Sequence, residues 1–355
     1  MAARAPQGPD TQPHTALKCH VFNRFGTISW LDLDWPRTYT GRLTSARVLL
    51  LMRTYLRLQP TLALGLALAT ALTALHHAPA AAQTESREQT LFVSAVDDQG
   101  EPVDGLGPDA FIVREEGVRR EVIRVSRATE PIDIALLVDN SAAVQDEITF
   151  IRGALTAFVA TMAPGNQIAI IALADRPTIF TDYTGDAKRL AEGIGRLFPM
   201  SQSGMTLLDG IVETARGLER REAPRAVIVP VITDGVEFTN RYSKDVVAAA
   251  RNARAALHLA TIGTFYHSDD HSTRERSFLI DEAPRATGGQ RISLLSPHGL
   301  DQAMQRLARE LSSQYKVVYG RPQSFIQPER IDVSSAQPAV TMRGAPARGE
   351  TGASR

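Results

Sequence analysis

Cysteine is almost missing from this chain: Cys19 is the single one in 355 residues. It lies ahead of a segment read below as cleaved, so the mature chain is expected to hold no thiol. That excludes disulfides, zinc sites built on thiolates and cysteine nucleophiles. An excess of charge is missing as well. Lys plus Arg and Asp plus Glu number 39 each, which leaves no net field to gather nucleic acid or an anionic membrane surface. The arginine-bearing runs at 219–222 and 251–254 are interrupted by acids or by Asn252 and Ala253, and read as helix surfaces. After residue 75 no apolar run is long enough to span a bilayer. Nor does a Gly-x-Gly-x-x-Gly follow the first core strand to cradle a pyrophosphate, and no Gly-x-Ser-x-Gly elbow presents a nucleophile.

What is there, 43% hydrophobic and 22% charged residues, suffices for one large domain and a smaller one. Residues 1–51 mix Pro, Arg, Thr and isolated aromatics without a sustained period, and read as an extension ahead of a true start at Met52. Residues 52–82 have the three parts of a secretory signal peptide. Arg53 and Arg57 make a basic start, 62–75 is an apolar run, and Pro79-Ala80-Ala81-Ala82-Gln83 is a small-residue cleavage pattern. The expectation is export to the periplasm or beyond, with no stable membrane span once the signal is removed.

Residues 83–128 form a β segment. Strands are expected over 91–96, 111–114 and 121–125, the last two as a hairpin around Glu116-Gly117. So few strands bury little apolar area alone. Partners are expected at the other end, over 315–343, where 315–319, 330–333 and 339–342 also read as strands, followed by a disordered tail at 344–355. Between the ends, over 129–314, strands alternate with helices. The strand candidates are 132–139, 167–174, 178–183, 226–233, 257–264 and 291–294, and the helical periods run over 146–162, 187–197, 206–218, 243–255 and 299–313. Leu300, Met304, Leu307 and Leu311 fall on one helical face. The hop through Asp175-Arg176-Pro177 is too short for a parallel crossover. The fold class is therefore α/β: a doubly wound, mostly parallel six-stranded sheet with one antiparallel edge strand, plus a small β-sandwich formed by the flanking segments.

The apolar run 132–138 stops abruptly at Asp139, followed by Asn140 and Ser141, at the strand end where open α/β sheets bind ligands. Asp139 and Ser141 serve equally well, on this pattern alone, as caps of the next helix. Two further stretches fall where a ligand site needs them. Ser203-Gly204-Met205-Thr206 puts a hydroxyl at a helix start, and the apolar strand ending in Thr233 gives way to Asp234-Gly235. The loop Tyr266-His267-Ser268-Asp269-Asp270-His271 rises on the same rim, either as a solvated polar loop or as a transition-metal site. His258 reads as a satisfied core or edge residue, and Asp209 with Glu213 as a solvated acidic face.

On these three motifs, in this order and spacing, the chain resembles the von Willebrand factor A domain over about 91–342. The likeness is to a bacterial exported branch with a β segment before the domain and a tyrosine-bearing strand, here 315–319, after it. The resemblance implies a metal-ion-dependent adhesion site in which Asp139 and Ser141 correspond to the first Asp and Ser, Thr206 to the Thr and Asp234 to the second Asp. Hard oxygen donors suit Mg2+, with Mn2+ or Ca2+ as alternatives. The motif's second serine is replaced by Ala143, whose methyl cannot coordinate. The implied partner is a protein presenting an acidic side chain to a rim made by Asn140, Met205, Gly235, His267, Asp269 and His271. The expectation is a non-enzymatic exported binding module. The alternatives are a scaffold with no functional metal site and a metal-dependent hydrolase assisted by the loop from His267 to His271.

Overall fold

The computed structural model describes residues 86–265, 270–322, 328 and 330–347. The expected signal at 52–82, the extension before it, residues 348–355, and His267 with Asp269 lie outside them. Four strands come first: β1 (Ser86–Val96), β2 (Phe111–Glu115), β3 (Val118–Arg120) and β4 (Val122–Arg127). Glu116 and Gly117 both have positive φ, 48° and 78°, and turn the chain so that Glu115 pairs with Val118. A two-residue turn of that hand fixes the returning arm immediately. The arm is therefore 118–120, and the residues expected to be that arm, 121–125, fall mostly in a separate strand, β4.

The central sheet contains β5 (Ile132–Val138), β6 (Gln167–Ala172), β7 (Thr178–Thr184), β8 (Arg225–Thr233), β9 (Ala255–Leu257), β10 (Leu259–Ile262) and β11 (Arg291–Leu294). Its order is β11-β10-β8-β5-β6-β7, with β9 also paired to β8. All pairs are parallel except β6 with β7, which returns antiparallel at the edge after the short hop. Seven strands appear where six were expected because one is cut in two. β9 and β10 pair with β8 in one continuous register, Ile228 with Leu257 and Val231 with Ala260. The gap falls at His258, whose N–H reaches Ile228 O at 2.9 Å. The return bond would come from residue 230, and Pro230 has no N–H to give.

Among the described residues six helices cover the two faces: α1 (Ile148–Met162), α2 (Ala187–Gly195), α3 (Leu207–Arg221), α4 (Ser243–Asn252), α5 (His271–Thr287) and α6 (Leu300–Ser312). Every residue of β5 is buried, and its alternating side chains serve opposite faces. Ile132, Ile134, Leu136 and Val138 pack with α1, α2 and α6, whereas Ala135 and Leu137 pack with α3, α4 and α5. Leu300, Met304, Leu307 and Leu311 are all buried, as their spacing predicts. Helix α5 was not expected. It carries Pro284, and its buried positions include Glu275, Arg276 and Ser277, so no apolar stripe announces it. It ends on Gly288 at φ 77°, a left-handed cap that glycine adopts freely. Among the described residues no helix is long and apolar enough to cross a membrane.

The chain closes with β12 (Tyr315–Pro322), β13 (Ile331–Ser335) and β14 (Thr341–Pro346). These pair with the first strands into a four-stranded sheet, β14-β1-β12-β4, and a three-stranded one, β13-β2-β3. Val93, Phe111, Val113, Val317, Tyr319 and Met342 share one apolar cluster between them. β14 runs on to Pro346, and Ala347 N–H donates to Thr90 O at 2.9 Å. The tail expected from residue 344 therefore starts no earlier than 348.

Candidate functional site

Asp139 follows the last residue of β5 and is fully buried. Its Oδ1 accepts the Ser141 N–H at 2.9 Å, and its Oδ2 accepts the Thr233 N–H at 3.2 Å and the Thr233 hydroxyl at 2.5 Å. Donors on both oxygens hold the carboxylate in one orientation at the carboxyl end of the sheet. Thr233 was not singled out from the sequence. Only its place at the end of β8, beside β5, hinted at the contact.

Ser141 and Thr206 are both placed to cap, and neither does. Ser141 precedes a 3₁₀ turn over Ala142–Val144 and makes no side-chain cap bond. Its hydroxyl is buried without a hydrogen-bond partner, a cost normally avoided. Thr206 stands at the head of α3, yet its hydroxyl turns away from that helix and donates to Leu173 O at 2.7 Å. The helix start is served instead by Glu237, whose two oxygens accept the N–H groups of Leu207 and Leu208 at 3.3 and 3.4 Å. Burial pushes the Glu237 carboxyl up to about 8 against those two donors. Of the two residues expected as caps, Ser141 makes no such bond with its side chain, whereas the Asp139 carboxylate accepts the Ser141 N–H.

Gly235 brings the third segment in. A Cβ on it would lie 2.8 Å from Ala143 Cβ and 3.1 Å from Ser141 Oγ, so only glycine fits that approach. Asp234, immediately before it, is exposed. The residues thus brought together are Asp139, Ser141, Ala143 and Gly235 directly, with Thr206 joined through Leu173, whose N–H donates to Val138 O. The fixed Asp139 carboxylate and the unpartnered buried Ser141 hydroxyl are hard oxygen donors of the kind a small divalent ion takes. Asp139 and Ser141 are the oxygen donors gathered beside Gly235, and Ala143 adds none.

The rim differs from expectation. Asn140, Met205 and Gly235 are buried, and they tie the loops together. Asn140 Oδ1 accepts from Ala174 N–H at 2.8 Å, and Met205 exchanges backbone bonds with Val236 and Phe238 at 2.8 and 2.7 Å. His271 is the first residue of α5, edge-on to Tyr242 at 5.2 Å. Among the described residues no three His, Cys, Asp or Glu side chains gather as a metal cluster. Beside the exposed Asp234, four large apolar side chains face solvent: Phe198 (61% exposed), Met200, Val236 (65% exposed) and Phe238. An open cleft of about 810 Å³ begins at Val236 and Phe238 and continues past Arg241. Asp209 on its wall is no free solvated acid, since Arg241 and the Thr239 hydroxyl both engage it. A second missed residue is Arg276 of α5, which donates to Gly235 O from beneath the site.

Residues 134–237 match the family model described as the von Willebrand factor type A domain. No curated protein matches the sequence. Among solved structures the chain is similar to proximal thread matrix protein 1 from the mussel byssus, at 16% identity and a TM-score of 0.43, over 56% of this chain and 50% of that one. It thus spans half the length of the mussel protein. It is also similar to the conserved hypothetical protein BatB from Bacteroides thetaiotaomicron, at 15% identity and a TM-score of 0.40, over 51% of this chain and 100% of that one. A third is the vWF domain of the type V pili tip protein Mfa5 from Porphyromonas gingivalis, at 13% identity and a TM-score of 0.39, over 51% and 95% of the respective chains.

Proposed function

We propose that this chain, of which residues 134–237 match the von Willebrand factor type A model, is an exported, non-enzymatic protein-binding module of adhesion or scaffold type. Its docking face is the loop rim at the carboxyl end of the central sheet. Domains of this family commonly bind protein partners. The observation that carries the reading is the buried, unpartnered hydroxyl of Ser141 held against Gly235 beside the fixed carboxylate of Asp139. Asp139, Ser141, Thr206 and Asp234 would hold a divalent ion, magnesium before manganese or calcium, and when bound it supplies the positive charge that draws a partner's acidic side chain. The chain itself contributes the orientation of Asp139 through Thr233 and an apolar collar of Phe198, Met200, Val236 and Phe238. A cluster of large exposed apolar side chains around a polar centre favours a protein partner over a small solute.

The test is capture from an envelope fraction by the immobilised full chain, with and without a chelator. The doubly substituted Val236→Ser, Phe238→Ser chain should retain its partner about tenfold less well, as for central apolar contacts, with its thermal midpoint unchanged. Equal capture by both chains would sink the docking face. Export is tested separately: mass spectrometry of the exported protein should find an N-terminus near Gln83, and retention of residues 62–75 would overturn cleavage.

A further inference from the structure

Arg276 is 3% exposed, and nothing in the adhesion motif accounts for it. Its guanidinium donates through Nη1 to the carbonyl of Gly235, its Nε has no partner, and Phe265 lies 5.1 Å from its centre. A guanidinium is costly to bury unless negative charge faces it. Burial draws this one down from its ordinary range, and Glu237, Asp234 and Asp139 are the carboxylates that push back. Two of those three are the acids of the candidate ion site.

We propose that Arg276 is the resident counter-cation of the Asp139 and Asp234 site and holds its affinity for divalent ions low. Guanidinium and ion draw on the same two carboxylates, so an ion enters against a fixed positive charge that water screens poorly at a buried position. The proposal rests on the reading of Asp139, Ser141, Thr206 and Asp234 as an ion site and gives that site an internal competitor. Ala143 acts in the same direction by a different route, since it withdraws an oxygen donor. The two effects are separable: one follows charge and the other follows ligand count.

The experiment is calorimetric titration of Mn2+ alone into the full chain and into R276Q, R276K, A143S and the R276Q/A143S pair, with thermal midpoints recorded alongside. R276Q should bind about tenfold more tightly than the unsubstituted chain, R276K should stay near it because the charge is kept, and the pair should bind most tightly. The proposal is overturned if R276Q binds no more tightly than R276K. A gain in A143S without one in R276Q rejects the counter-cation and leaves the ion site standing. Absence of heat in every chain rejects both, while capture through the apolar collar is still read independently. If R276Q is unfolded without ion, recovery of its native circular dichroism at millimolar Mn2+ supports the proposal, and no recovery overturns it.

Discussion

At Thr206 a single hydroxyl joins the candidate site to the core, through its 2.7 Å bond to Leu173 O. Thr206→Val keeps the shape and leaves that carbonyl with the Thr206 N–H at 2.9 Å as its remaining donor, so urea unfolding should show a loss of about 1 kcal/mol, as for one hydrogen bond. His258 gives a second prediction. Both ring nitrogens are buried without partners, and burial pulls the imidazole from 6.5 down to about 4, with Glu310 pushing it up and Arg343 down. Between those values the unfolded chain takes a proton that the folded chain refuses. Stability is therefore intact above 6.5 and falls as pH drops towards 4, by up to about 3 kcal/mol. Glu237, raised by burial, acts in the opposite sense, its contribution being lost as pH rises through 8. The measurement is thus the difference between denaturation profiles of the unsubstituted chain and His258→Leu. The variant should lack the acid-side loss, and parallel profiles would refute the assignment. The places of Asp139, Thr206 and Asp234 at the ends of elements could be read from sequence because each ends or opens an apolar run. The burial of Asn140 and Met205 could not, because it depends on which loops lie across from them.

Among the elements, the helical period found α1 and α6, whose apolar positions repeat cleanly, and missed α5, whose inward face holds Glu275 and Arg276. Polar groups can occupy a buried face only when other segments complete their bonds, as Ser243 does for Glu275 at 2.8 Å. The split of β9 from β10 likewise turns on Pro230, a residue of the neighbouring strand. Helix α6 is tied to β14 through the ion pair of Glu310 with Arg343 at 2.8 Å, where Glu310 also accepts from Gln290 at 2.8 Å. Arg343→Met should leave that buried carboxylate short of its counter-charge and cost about 3 kcal/mol in denaturant unfolding. A loss of a few tenths would mean that the pair is effectively solvated.

In the whole molecule, the strands from the two ends are bound to the central sheet as well as to each other. Gln314 donates to Ser94 Oγ at 3.0 Å, Arg309 pairs with Glu101 at 2.7 Å, and the Arg225 guanidinium lies 5.1 Å from the Phe92 ring. Ala345 of β14 belongs to the apolar cluster of α1 and α6. A chain cut to residues 129–314 should accordingly unfold at lower denaturant than the full chain, at about 2–3 kcal/mol for each large apolar side chain uncovered. Equal midpoints would make the central unit independent. The sequence by itself determined the alternation of strand and helix, the antiparallel edge and the acids at the strand ends, because each is a pattern of near neighbours along the chain. Only the tertiary structure decided that Ser141 is left without a partner, that four large apolar side chains face solvent at the rim, and that Arg276, 41 residues beyond Gly235, lies beneath it. Those facts depend on which distant segments exclude water from one another, and spacing along one chain does not encode that.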